Sequence, residues 1–146
     1  MPEPNVILLV EDEPNDALII QQLLRKIGIT HPIVHVKDGW EAMNYLLGKA
    51  PFSNQSAFPV PILILLDLKL PNYDGFDVLT WLRSKPAFAK LPVVVLTGSV
   101  YPEDRKRAIE LGAIGFEVKP VEPSEFAAVA NSIRVHLLRT PNSLPG

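Results

Sequence analysis

Short apolar runs alternate along the chain with segments whose apolar residues recur at helical spacing. Val6–Val10 (VILLV), Pro32–Val36 (PIVHV), Ile62–Leu66 (ILILL), Val93–Leu96 (VVVL) and Phe116–Val118 read as five strands. Three of them are continuously apolar, the pattern of parallel strands buried on both faces; the more mixed Pro32–Val36 reads as a strand nearer an edge. Between and after them the spacing predicts helices. Asn15–Ile27 puts Ala17, Ile20, Leu24 and Ile27 on one stripe. A second helix runs to Leu47 from Asp38, with Glu41 placed to complete a capping box. Asp74–Leu82, Pro102–Leu111 and Pro123–Leu138 complete the set. Five βα units in succession predict an α/β fold, an open, doubly wound parallel sheet with helices on both faces.

Composition narrows the class. The chain has 146 residues, a formal charge of −2, 47% hydrophobic residues and no cysteine. That excludes a disulfide framework, a thiolate metal site and a cysteine nucleophile. The balance of charge gives no footing for nucleic acid. The one basic cluster, Arg105-Lys106-Arg107, follows Glu103-Asp104 and reads as a solvated helix face. No apolar run approaches the ~18 residues of a membrane span, and the start lacks a signal-peptide pattern, so a soluble, cytoplasmic protein is expected. Fifteen prolines are about twice the average share of ~5%. They fall at helix starts, at strand entries, in connections and in the termini, and none lies inside an expected element. The segment Gly48–Pro61 carries three of them and reads as a long surface connection or a partner-contact loop.

In doubly wound sheets ligands bind beyond the carboxyl ends of the strands. Glu11-Asp12 follow the first strand, Asp67 the third, Thr97-Gly98-Ser99 the fourth and Lys119-Pro120 the fifth. Each is ordinary alone: acids suit a helix N-terminus, and Asp67 suits a turn. Together they bring three carboxylates, a hydroxyl and an ammonium to one sheet edge. Two like charges ~4 Å apart repel by about 4 kcal/mol at an effective dielectric near 20, so the acids need a proton, solvent or a cation. A hard divalent ion such as Mg²⁺ suits all-oxygen donors. The set resembles a phosphoryl-transfer site with a carboxylate nucleophile.

The segments ILLVEDEPND, ILLDLKLPNYDGFDVL, LPVVVLTGS and GAIGFEVKPV, in that order, resemble the receiver domain of two-component response regulators from about Asn5 to Leu138. The LPNYDGFDVL segment and the Pro102-Glu103-Asp104 helix start are similar to stand-alone regulators paired with bacterial phytochrome-type histidine kinases. The resemblance implies a flavodoxin-like sheet of order 2-1-3-4-5, with residues 1–4 an N-terminal extension, 5–138 the receiver and 139–146 a tail without an output domain.

It also implies roles by position. Asp67 matches the phosphoacceptor, loaded from a kinase phosphohistidine. Asp12 and Asp67 match the Mg²⁺ ligands, with the backbone carbonyl of Lys69, and Glu11 matches the first acidic position, which often reaches the metal through water. Thr97 and Gly98 match the switch and phosphoryl-binding positions, and Lys119 the lysine that pairs with a phosphoryl oxygen. The Lys119–Pro120 bond is expected to be cis. Phe116 stands at the aromatic switch position, where many members carry Tyr; it has no hydroxyl to bury on turning inward. Lys69 and Ser99 flank the water approach to Asp67 and are expected to influence dephosphorylation. Output is expected through protein contacts, with a sensor kinase, a downstream protein or phosphotransfer protein, and a homodimer across the helix 4–strand 5–helix 5 face as partners. Two other readings stand beside this one. A phosphorylation-independent scaffold would keep the fold alone. An aspartyl phosphohydrolase usually carries a second acid two residues after the nucleophile, where this chain has Lys69.

Overall fold

The computed structural model describes residues 5–119, 131 and 133–135. The chain runs β1 (Ile7–Val10), α1 (Pro14–Lys26), β2 (Ile33–Val36), α2 (Gly39–Leu47), β3 (Leu63–Leu66), α3 (Gly75–Ser84), β4 (Val93–Thr97), α4 (Pro102–Glu110), β5 (Gly115–Val118). All strands are parallel, in the order β2-β1-β3-β4-β5. The three apolar runs become the interior strands and are buried at every position, whereas β2 and β5 are the partly exposed edges. Pro32 has no N–H to add to the ladder and stays just outside β2, where its carbonyl still accepts from Ile7 N–H. Most of the expected Pro123–Leu138 helix and the Lys119–Pro120 bond lie outside the described residues; residues 131 and 133–135 are helical.

Period-two alternation divides the strand side chains between two cores. Leu8, Val10, Ile64, Leu66, Val93 and Val95 pack with α2 and α3. Ile7, Leu9, Leu63, Leu65, Val94 and Leu96 face Ala17, Ile20 and Leu24 of α1, together with Ile133.

The caps differ in one respect from expectation. Asp38 caps α2 through Glu41 N–H at 2.7 Å, but the Glu41 carboxylate reaches back to Lys37 N–H at 2.8 Å rather than to Asp38, so the box is offset by one residue. A reciprocal box closes instead at α3, between Asp74 and Asp77.

The connection over residues 48–61 is anchored by its aromatic residues. Phe52 and Phe58 pack edge-on or tilted against Tyr45 of α2, with centroids 5.3 and 5.9 Å away, and the buried Tyr45 hydroxyl donates to Pro59 O at 2.7 Å. Tyr45→Phe leaves that carbonyl unpaired, and a loss of about 1–2 kcal/mol is expected in urea unfolding at pH 7. Burial pushes the Tyr45 phenol up to about 12. The folded state thus favours the neutral phenol: this stability is full below the ordinary value of ~10 and declines as pH rises toward the folded value. The variant should lack that alkaline decline. Equal stability of the two proteins at pH 7 would refute the anchor.

Candidate functional site

The parallel ladder sets the ends of β1, β2 and β3 level, and the ends of β4 and β5 level with each other. Val10 pairs with both Val36 and Leu66, and Thr97 pairs with Val118. One step on, Glu11 N–H donates to Val36 O, Asp67 N–H to Val10 O and Lys119 N–H to Thr97 O. Backbone hydrogen bonding therefore places Glu11, Asp67 and Lys119 at one edge before their side chains interact.

The side chains then converge. Carboxylate oxygens of Glu11, Asp12 and Asp67 all lie within 4.8 Å of one another, with Glu11 and Asp67 buried and Asp12 exposed. The Lys119 ammonium sits 2.6 Å from Glu11 Oε1 and 2.7 Å from Asp67 Oδ2. A third acid, Asp16 in the first turn of α1, joins at 3.0 Å. Sequence reasoning did not single out Asp16. Its signal was an acid one helical turn beyond Asp12, on the helix that starts at this edge.

Four carboxylates thus crowd this edge, three of them in contact with one ammonium. Burial pushes the Glu11 carboxyl up to about 7; the Lys119 contact draws it down, and the Asp67 charge adds to the rise. For Lys119, burial disfavours the ammonium, but its bonds to Asp67 and Glu11 outweigh burial and hold it above the ordinary lysine value. Glu11 Oε1 is fully buried, with the Lys119 ammonium 2.6 Å away as its ion-pair partner. Hard oxygen donors and surplus negative charge fit a divalent cation.

The remaining expected residues surround this cluster. Lys69 N–H donates to Asp67 Oδ1 at 3.3 Å. Thr97 is buried, and its Oγ1 accepts from Ser99 N–H at 3.3 Å. A Cβ built on Gly98 would meet nothing within 4 Å, so the backbone there borders open space. Phe116 is 6% exposed and packs in the core beneath α4. Ser99 is also buried, and its hydroxyl donates to Asp104 of α4 at 2.5 Å. A cleft of about 580 Å³, lined in part by Asp12, Lys69, Phe76, Ser99 and Asp104, opens beside the acids.

Two of the three basic residues on α4 do more than face solvent. Arg105 donates to Phe116 O at 3.1 Å with its guanidinium 5.8 Å from the Phe116 ring, and Arg107 lies 4.1 Å over Phe76. Long cationic side chains cover apolar surface in this way while their charge stays hydrated.

The order of strands, the acid cluster and the lysine opposite it are the features of one family, and residues 7–131 match the model of the response regulator receiver domain. The chain belongs to the response regulator receiver family. This receiver is 41% identical over 108 residues to the response regulator Rcp1 of Synechocystis, covering 74% of this chain and 71% of that protein. It is similar to the crystal structure of the Mn(2+)-bound form of response regulator Rcp1, with a TM-score of 0.82 at 35% identity over 98% of this chain and 100% of that one. The phosphorylated cyanobacterial phytochrome response regulator RcpA gives a TM-score of 0.79 at 34% identity, over 91% and 92% of the two chains. Among the described residues, no helix of this receiver is long and apolar enough to cross a membrane.

Proposed function

We propose that this receiver accepts a phosphoryl group on Asp67 from the phosphohistidine of a sensor histidine kinase, in a Mg²⁺-dependent step. The observation that carries the reading is the convergence of Glu11, Asp12 and Asp67 with the Lys119 ammonium on Asp67 Oδ2. Asp12 and Asp67, with the Lys69 carbonyl, would hold the ion, and Glu11 would reach it through water. Bound there, Mg²⁺ would neutralise charge on the transferring phosphoryl oxygens. Asp67 supplies the attacking carboxylate, forming an acyl phosphate as the phosphorus–nitrogen bond to histidine breaks. Lys119 and the Thr97 hydroxyl then meet the new phosphoryl oxygens beside Gly98, and Phe116 follows Thr97 within the core. Movement there alters the α4–β5 surface, which we assign to contacts with a downstream protein, a phosphotransfer protein or a second copy. The likeness to a phytochrome response regulator favours a phytochrome-type kinase as donor.

This chemistry is one self-catalysed transfer rather than turnover. With a small-molecule phosphodonor and Mg²⁺, the protein should gain at most one phosphoryl group per chain, released by alkali. Full labelling in the presence of a chelator would overturn the metal dependence. Sustained hydrolysis of phosphate esters beyond one equivalent would favour a phosphohydrolase instead.

A further inference from the structure

Lys119 has three ammonium protons and no capacity to accept, and three carboxylates surround it. Acylation of Asp67 moves its charge onto the phosphoryl oxygens, and a phosphoryl oxygen that pairs with Lys119 then competes with the two remaining carboxylates, Glu11 and Asp16. Glu11 is 1% exposed at its side chain, too buried for bulk solvent to take the place of a lost cation. Asp16 is 41% exposed, makes the longest of the three contacts, and lies in the first turn of α1, where the helix dipole compensates its charge. It is the partner most easily given up.

We propose that Asp16 is a positioning residue that competes with the phosphoryl group for Lys119. Without a phosphoryl group it holds the ammonium at the mouth of the site. When the group arrives, Lys119 exchanges Asp16 for a phosphoryl oxygen, and the freed carboxylate turns to solvent. Asp16 thereby lowers the affinity of the resting site for phosphoryl-like ligands. The inference rests on the assignment of Asp67 as acceptor and Lys119 as its phosphoryl partner.

The test is binding of fluoroberyllate in the presence of Mg²⁺, followed by calorimetry, for wild type, Asp16→Asn, Asp16→Glu, Lys119→Met and the Asp16→Asn/Lys119→Met pair. Loss of a half-exposed ion pair and of a nearby negative charge should tighten binding to Asp16→Asn by about three- to tenfold. Asp16→Glu keeps the charge and should stay within about twofold of wild type. Because the effect runs through Lys119, the gain should vanish in the Lys119→Met background. Unchanged or weaker binding to Asp16→Asn overturns the proposal. So does an equal gain without Lys119, which would make Asp16 a simple source of repulsion. Failure of the underlying assignment reads differently: fluoroberyllate would then bind Asp67→Asn as well as wild type.

Discussion

Asp67→Asn should reduce labelling by a small phosphodonor to background, a fall of at least ~100-fold, while the protein stays folded. The geometry gives each of the three acids a different fitness as nucleophile. Burial disfavours the charged form of Glu11, and its Oε2 already accepts from Glu13 N–H. Asp12 is exposed to solvent. Asp67 is buried, held through Oδ2 by Lys119, and carries on Oδ1 a long 3.3 Å bond from Lys69 N–H. That oxygen keeps a lone pair for attack, whereas an amide in its place cannot form an acyl phosphate. Stability should change little, because two effects oppose each other. The amide weakens the grip of Lys119 but relieves repulsion among four crowded carboxylates. A melting midpoint within about 5 °C of wild type, on the order of 1 kcal/mol, is expected. Labelling of the variant at Glu11 or Asp12 would sink the assignment of Asp67.

The same charge surplus explains why the site is useful as a switch. An apolar sheet edge with one unpaired acid would be silent, and a neutral cluster would have no demand for cations. Here β1, β3 and the first turn of α1 deliver more negative charge than Lys119 balances. Lys119 is bound on several sides and can exchange partners without leaving the site. The adjoining hydroxyls are also committed, Thr97 Oγ1 to Ser99 N–H and Ser99 Oγ to Asp104. A phosphoryl group that draws on Thr97 therefore acts on the β4–α4 connection directly.

Much of this could be read before any coordinates, for identifiable reasons. The runs at β1, β3 and β4 are apolar because helices cover both faces, so burial is written into composition. Glu11, Asp67, Thr97 and Lys119 were legible because each ends a strand, and parallel register brings strand ends to one edge. Asp16 was not, since helix phase decides whether a first-turn acid faces the sheet edge or solvent. The Asp38–Glu41 spacing matched a capping box, but one carboxylate oxygen of Asp38 is taken by Asn72 Nδ2 across the fold and Glu41 bonds one residue further back. Arg83 left no local signal either, because all of its acceptors are backbone carbonyls in connections that follow it in the chain.

Arg83 should be the most sensitive single side chain for stability outside the core. From the end of α3 its guanidinium donates to Ala89 O at 2.8 Å and Leu91 O at 3.1 Å in the connection to β4. It also donates to Leu111 O at 3.2 Å and Gly112 O at 3.0 Å in the turn before β5. Gly112, at φ +93°, takes a conformation L side chains rarely adopt, and a Cβ there would collide with Arg83. Burial disfavours the cation somewhat, yet a guanidinium stays charged, so these are charge-assisted bonds to carbonyls that have few other donors. Arg83→Ala should lower the unfolding free energy by about 2–4 kcal/mol. Arg83→Lys should recover less than half of that loss, because one ammonium cannot span both connections as the planar fork does. Urea unfolding of the three proteins decides it. A lysine variant as stable as wild type would show that charge alone suffices there. An alanine variant within about 0.5 kcal/mol of wild type would show that water replaces the guanidinium at those carbonyls.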